Sequence, residues 1–183
     1  MSETKKSPSP SKPRQKTVSF KNLEKQVKKL NTYSTYVVNK ETNEVIKYYE
    51  EFGEAKIDAL LLELKEHVDY DQKREKENQY FVNDQKIYEF LYYMIAKFFT
   101  HFRDEIGSQF ETNIQAMVFM HDKGYLRLIH NEIFNPAEVM KVFDRFNERA
   151  ELGLKSLELN EETREKLANL QHVNKLVKRI PEA

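Results

Sequence analysis

Apolar residues along the chain follow two rhythms, and the change comes at Gly53. Upstream, YSTYVV and EVIKYY are dense in β-branched and aromatic residues, and NKETN between them supplies turn chemistry at Asn39 and Asn43. This pattern predicts a β-hairpin over 33–49. A lone hairpin is barely stable in water, so it must pack on the rest of the chain or pair with another strand. Further upstream, Phe20, Leu23, Val27 and Leu30 recur at helical spacing and predict a short amphipathic helix within 17–30.

Downstream of Gly53 the helical period takes over. Ile57, Leu60, Leu61, Leu64 and Val68 form one apolar stripe, followed by the charged run 69–80, read as a helix extension or a loop. Residues 84–102 carry Ile87, Phe90, Leu91, Met94, Ile95, Phe98 and Phe102, with Tyr88, Tyr92, Tyr93 and Phe99 filling the other sides. A helix apolar nearly all round belongs at the centre of a fold. Asp84 is its expected N-cap. Ser108 and Glu111 have the spacing of a capping box ahead of a helix carrying Phe110, Ile114, Met117, Val118 and His121. Gly124 suits a left-handed close to that helix. YLRLIHNEIF continues at helical spacing. NPAE at 135–138 then places Asn135 as a cap, Pro136 in the first turn and Glu138 near the positive helix end. Val139, Val142, Phe143, Phe146 and Ala150 carry the stripe to Gly153. A last helix is expected from Asn160 to about Ile180, with acids at its start and bases at its end. The fold class predicted is mainly α: about five helices around a central aromatic-rich helix, with one N-terminal β-hairpin. Residues 17–183 form a single domain.

Composition sharpens this picture in a few places. The chain has 183 residues, one domain's worth plus a tail. No apolar run approaches the ~20 residues that span a bilayer, so no membrane role is expected. Nor does an apolar stretch follow the first lysines as in a secretory signal. Cysteine is absent, which excludes disulfides, thiolate metal sites and cysteine nucleophiles and fits a reducing compartment, the cytoplasm. Net charge is zero but unevenly spread. Residues 1–30 hold nine bases and two acids, hence +7, which leaves −7 for the remainder. Residues 1–16, with Pro8, Pro10 and Pro13 among serines and bases, read as a disordered basic tail. Lys12, Arg14 and Lys16 there are candidate partner contacts, because bases on a flexible chain release counterions from phosphates and pair with acidic surfaces.

Catalytic signals are sparse. His101 and Glu105 share a helix face, yet a metal needs three or four ligands, and no HExxH or ExxH supplies them. A histidine at a helix end is the simpler account. Four dispersed glycines exclude GxGxxG and the P-loop, and there is no GxSxG. Paired carboxylates such as Asp104 and Glu105 lie in charged stretches. No cofactor, metal or active site is therefore expected. The remaining candidates are the hairpin aromatics Tyr33, Tyr36, Tyr48 and Tyr49, on strands whose free edges recruit other strands.

NEVIKYYEEFGEAKIDALLLELKEHV at 43–68, together with GYLRLIHNEIFNPAEVMKVFDRFNERAELG near the end, resembles small tail assembly chaperone-like and accessory proteins of long-tailed bacteriophages. The resemblance runs from the hairpin to Gly153. It implies a non-enzymatic protein that binds tail or other virion proteins in the host cytoplasm, and it carries over no site residue. Separately, the free edges of the hairpin make a homo-oligomer one of the expected assemblies. The alternative is a small nucleic-acid-associated or regulatory protein that uses the basic arm; the acidic body makes nucleic acid the lesser partner.

Overall fold

The computed structural model describes residues 19–152. The expected tail at 1–16 and the helix expected from Asn160 lie outside them. The chain divides into two units, one ending at Thr32 and one beginning at Tyr33. In the first, α1 (Phe20–Leu30) forms where the apolar spacing requires it. Phe20, Leu23 and Val27 are exposed, and the last turn carries Lys28 and Lys29, where cations suit the helix dipole.

The second unit opens with an antiparallel hairpin, β1 (Ser34–Asn39) and β2 (Glu44–Tyr48), with Tyr36 opposite Ile46. The turn forms as its asparagines direct. The Asn39 Oδ1 accepts from the Glu41 and Thr42 amides, and Asn43 adopts a positive φ of 56°. α2 (Glu54–Gln72) starts directly after Gly53. α3 (Asp84–Phe98), α4 (Phe102–Ile106), α5 (Phe110–Asp122), α6 (Tyr125–Leu128) and α7 over 136–152 complete the order, giving seven helices among the described residues rather than about five. Two of them are short: α4 is a single turn, and α6 runs straight into a π-turn, Ile129–Ile133.

α3 is the central element. Phe90, Leu91, Tyr93, Met94, Ile95, Ala96 and Phe98 are all fully buried, as the all-round apolar pattern requires. Its true cap is Asn83, whose Oδ1 accepts from the Lys86 amide at 3.0 Å. Asp84 is instead the first helical residue, where its charge meets the positive end. The helix stops at Phe98, short of Phe102, because the chain turns outward to meet β2. The Thr100 hydroxyl donates to the Ala96 carbonyl, and the His101 amide donates to the Lys47 carbonyl at 2.9 Å.

Around α3, besides the contacts of Tyr88 with Phe143 and Phe146, two further groups of aromatic side chains form. Phe52 stacks on Phe99 with ring centroids 3.6 Å apart, and Phe134 meets Phe52 edge-on. On the other side Phe90 gathers Phe81, Tyr93 and Phe110. The charged run after α2 is tied down by one buried carboxylate. Asp71 Oδ2 accepts from the Tyr80 and Phe81 amides, each at 2.8 Å, so the loop folds back and delivers Phe81 to that group. α7 begins where NPAE predicts, with Asn135 capping the Ala137 amide. Its Glu138 does more than complement the helix end: it is buried and accepts from the Phe52 amide at 2.8 Å.

The capping box does not form. α5 starts one residue later than the box requires, with Gln109 at the cap and no side-chain bond there. Glu111 therefore falls one position short of its reciprocal place. Gly124 does adopt the left-handed conformation, φ 75°, at the end of α5.

Two substitutions test this account by urea denaturation. Phe90→Ala should cost about 3–5 kcal/mol, the range for truncating a fully buried aromatic. Asp71→Ala should cost roughly 1.5–3 kcal/mol, since it strips two amides of a charged acceptor, and should speed amide exchange at Tyr80 and Phe81 without altering helix content.

Candidate binding surface

The hairpin tyrosines are more engaged than free aromatics would be. Tyr33 stacks on Tyr49 with centroids 4.3 Å apart, and burial together with the neighbouring Tyr49 pushes its hydroxyl pKa up. Tyr36 donates to Glu132 at 2.8 Å, which raises its own pKa. Tyr36, Tyr48 and Tyr49 are half-buried against the core. The ladder explains why. Tyr48 pairs with Thr100 through the Tyr49 amide to the Phe99 carbonyl and the His101 amide to the Lys47 carbonyl. The outer edge of β2 is thus closed by the backbone after α3, and the expectation of free edges is corrected to one edge, that of β1. Lys12, Arg14 and Lys16 lie outside the described residues. On α1, the lysines at 21, 25, 28 and 29 are exposed.

This closure fixes which backbone groups of β1 point outward. Lys47 and Tyr49 turn their bonding groups away from β1, so Tyr48 turns its own toward it. Alternation then aims Ser34 and Tyr36 inward at β2, and Thr35 and Val37 outward. Both outward residues are exposed, Val37 by 46%. Outside the strand ladder itself, no backbone hydrogen bond among the described residues takes their amides or carbonyls.

Beside the hairpin lies a cleft of about 360 Å³ lined chiefly by Val38, Ile46, Phe102, Ile106, Phe119 and Met120, with Phe119 58% exposed. His101 and Glu105 stand at its mouth. The His101 Nδ1 accepts from the Lys47 amide at 3.3 Å, which leaves Nε2 facing Glu105 Oε1 at 3.6 Å. The pair is held by the strand, as a structural contact. Among the described residues no group of three or more histidines and carboxylates is placed to hold a metal, and no helix is long and apolar enough to cross a membrane.

Besides Asp71, two buried polar features went unread in the sequence. Lys97, on the apolar α3, is 1% exposed, and its ammonium donates to Glu63 at 2.6 Å, to Asn113 at 2.9 Å and to the Gly107 carbonyl. Its three protons are all taken. Asn113 Oδ1 also accepts from Tyr93 at 2.9 Å. Burial lowers the Lys97 pKa and Glu63 opposes it. Burial likewise raises that of Glu63, but the adjoining His67 and Lys97 outweigh it and hold the carboxyl below its ordinary value. No cleft described above reaches this cluster, so it serves as a lock between helices.

The second feature is His130 in the π-turn. Its ring stacks on Tyr92 at 3.5 Å, and Nε2 lies 2.9 Å from the Tyr92 carbonyl. A carbonyl only accepts, so Nε2 carries the proton, and the buried Nδ1 has no partner. Burial therefore favours the neutral ring and lowers its pKa from 6.5 to about 4.

The fold and this surface define a mainly helical protein with an appended hairpin whose β1 edge is open among the described residues. The chain belongs to the YomO family, whose sequence pattern matches residues 20–178. No curated protein and no solved structure matches it.

The sign for His130 follows from linkage. Its folded pKa lies below its unfolded value, so its contribution is fully present above pH 6.5 and is lost as pH falls toward about 4. The loss amounts to about 3 kcal/mol. Urea midpoints measured across that window should fall in the wild type more than in His130→Phe. Lys97→Met should cost about 3–5 kcal/mol by depriving the part-buried Glu63 of its ammonium partner, and adding Glu63→Gln should recover part of it in a double-mutant cycle.

Proposed function

We propose that this chain is a non-catalytic interaction protein of phage type, a tail assembly chaperone or virion accessory factor, that binds an extended protein segment along β1. The observation that carries the reading is the outward, unbonded backbone of Thr35 and Val37. Two residues at alternate positions, each offering an amide and a carbonyl, are what an added strand takes up. The apolar cleft with its exposed Phe119 opens beside β2, reaching β1 only at Val38, and offers a separate apolar contact for the same partner. Family membership supports the phage setting, and so does the resemblance of 43–68 and of the stretch ending at Gly153 to tail accessory proteins. The site chemistry supports a binding role over a catalytic one, since the buried cations with shifted pKa, Lys97 and His130, are engaged within the packed core. A partner met in this way is encountered in the host cytoplasm during assembly.

A second reading has one observation in its favour. The exposed lysines of α1, in a segment carrying +7 over residues 1–30, suit contact with phosphates. It predicts DNA binding that weakens steeply with salt.

The test is calorimetry against purified tail tube, tape-measure and tail chaperone proteins of the encoding phage or prophage. Binding to one of them should weaken at least tenfold on Thr35→Pro, which removes an outward amide and leaves the inward ladder intact. Tyr36→Phe, which loses only the Glu132 bond, should bind as the wild type does. Absence of binding to all three, or indifference to Thr35→Pro, sinks the reading.

A further inference from the structure

We propose that the strand β1 accepts is the β1 of a second copy, so that two chains pair edge to edge about a two-fold axis through Tyr36. The inference rests on the strand-edge reading above: the second copy holds the edge until a tail-protein segment displaces it. An antiparallel pair centred on Tyr36 sets Thr35 opposite Val37 of the other chain. The Thr35 amide then donates to the Val37 carbonyl, and the Thr35 carbonyl accepts from the Val37 amide. The axis repeats both bonds with the roles of the chains exchanged. Every outward group found unbonded is used, and Tyr36 faces its own copy in the closely spaced, non-bonded position.

The register follows from an irregularity in the strand. The ladder shifts between Val37 and Asn39, so regular outward alternation ends at Val37. Centring on Val37 would bring Asn39 into the pairing across that shift, whereas centring on Tyr36 uses only residues before it.

Nothing in the charge of β1 opposes a second copy. The sequence of β1, STYVVN, contains no ionisable side chain other than tyrosine, and no proline. Charged residues and prolines are what exposed edges use to prevent self-pairing. An edge without them repels no copy of itself. Antiparallel order also sends the two turns, with Lys40 and Glu41, to opposite ends of the pair. A two-fold arrangement of this kind closes, and so yields a dimer rather than a fibre.

Light scattering and sedimentation over a micromolar to millimolar dilution series read the outcome on the full chain. The wild type should dimerise reversibly. V37K should shift the dissociation constant upward at least tenfold, because it places a cation on the edge. T35E/V37K should restore the dimer, since the carboxylate introduced at 35 faces the ammonium introduced at 37 of the other chain in this register and no other. Far-UV circular dichroism and urea midpoints confirm that each variant is folded. A wild type that stays monomeric throughout, a dimer indifferent to V37K, or a double variant no tighter than V37K overturns the proposal. A monomer that still binds a tail protein through Thr35 overturns self-pairing alone; a dimer that binds none of the tail proteins overturns the proposed function alone.

Discussion

One cation organises the second unit. An ammonium buried on the central helix is tolerable only if each of its protons finds an acceptor, because desolvation otherwise costs several kcal/mol. Lys97 finds them on three different elements: Glu63 on α2, Asn113 on α5 and the Gly107 carbonyl in the link before α5. Sliding α2 or α5 along α3 by one turn would strand that charge. Apolar packing tolerates such slips far better, since one leucine contact resembles the next. The lysine thus supplies register where the hydrophobic stripes supply only adhesion.

The same helix determines how the hairpin is held. α3 ends where Thr100 turns its hydroxyl back on Ala96, and the freed backbone at 99–101 becomes a third strand-like segment against β2. A two-stranded ribbon of marginal stability is thereby anchored on one side. The anchoring leaves the pairing capacity of β1 directed outward. Burying one edge and presenting the other are a single structural event, settled by the last turn of α3.

Much of this was legible in local pattern. The hairpin, the start of α2 after Gly53, the central place of α3, the left-handed Gly124 and the Asn135 cap all depend on residues within a few positions of one another, and all appear where expected. What escaped reading depends on distant partners. Lys97 interrupts an apolar stripe, and nothing nearby announces that Glu63 and Asn113 will meet it. Asp71 sits in a run of charges indistinguishable from a solvated face until the chain returns Tyr80 and Phe81 to its carboxylate. The Ser108–Glu111 box had correct spacing and failed because α5 begins one residue late. The candidate surface divides similarly: the hairpin aromatics were visible as a group, but which edge stays open is decided by residues 99–101, some fifty positions downstream of β2.

The bond between Glu138 and the Phe52 amide spans 86 residues, and the ion pair between Arg149 and Asp58 spans 91. Contacts of such sequence separation close large loops, and their entropy is recovered late in folding. The hairpin, α2 and α3 can assemble before α7 is in place. Contacts of α7 that form after the transition state would slow unfolding more than they speed folding. That division separates acquisition of the strand-bearing core from a lifetime set by its closing helix.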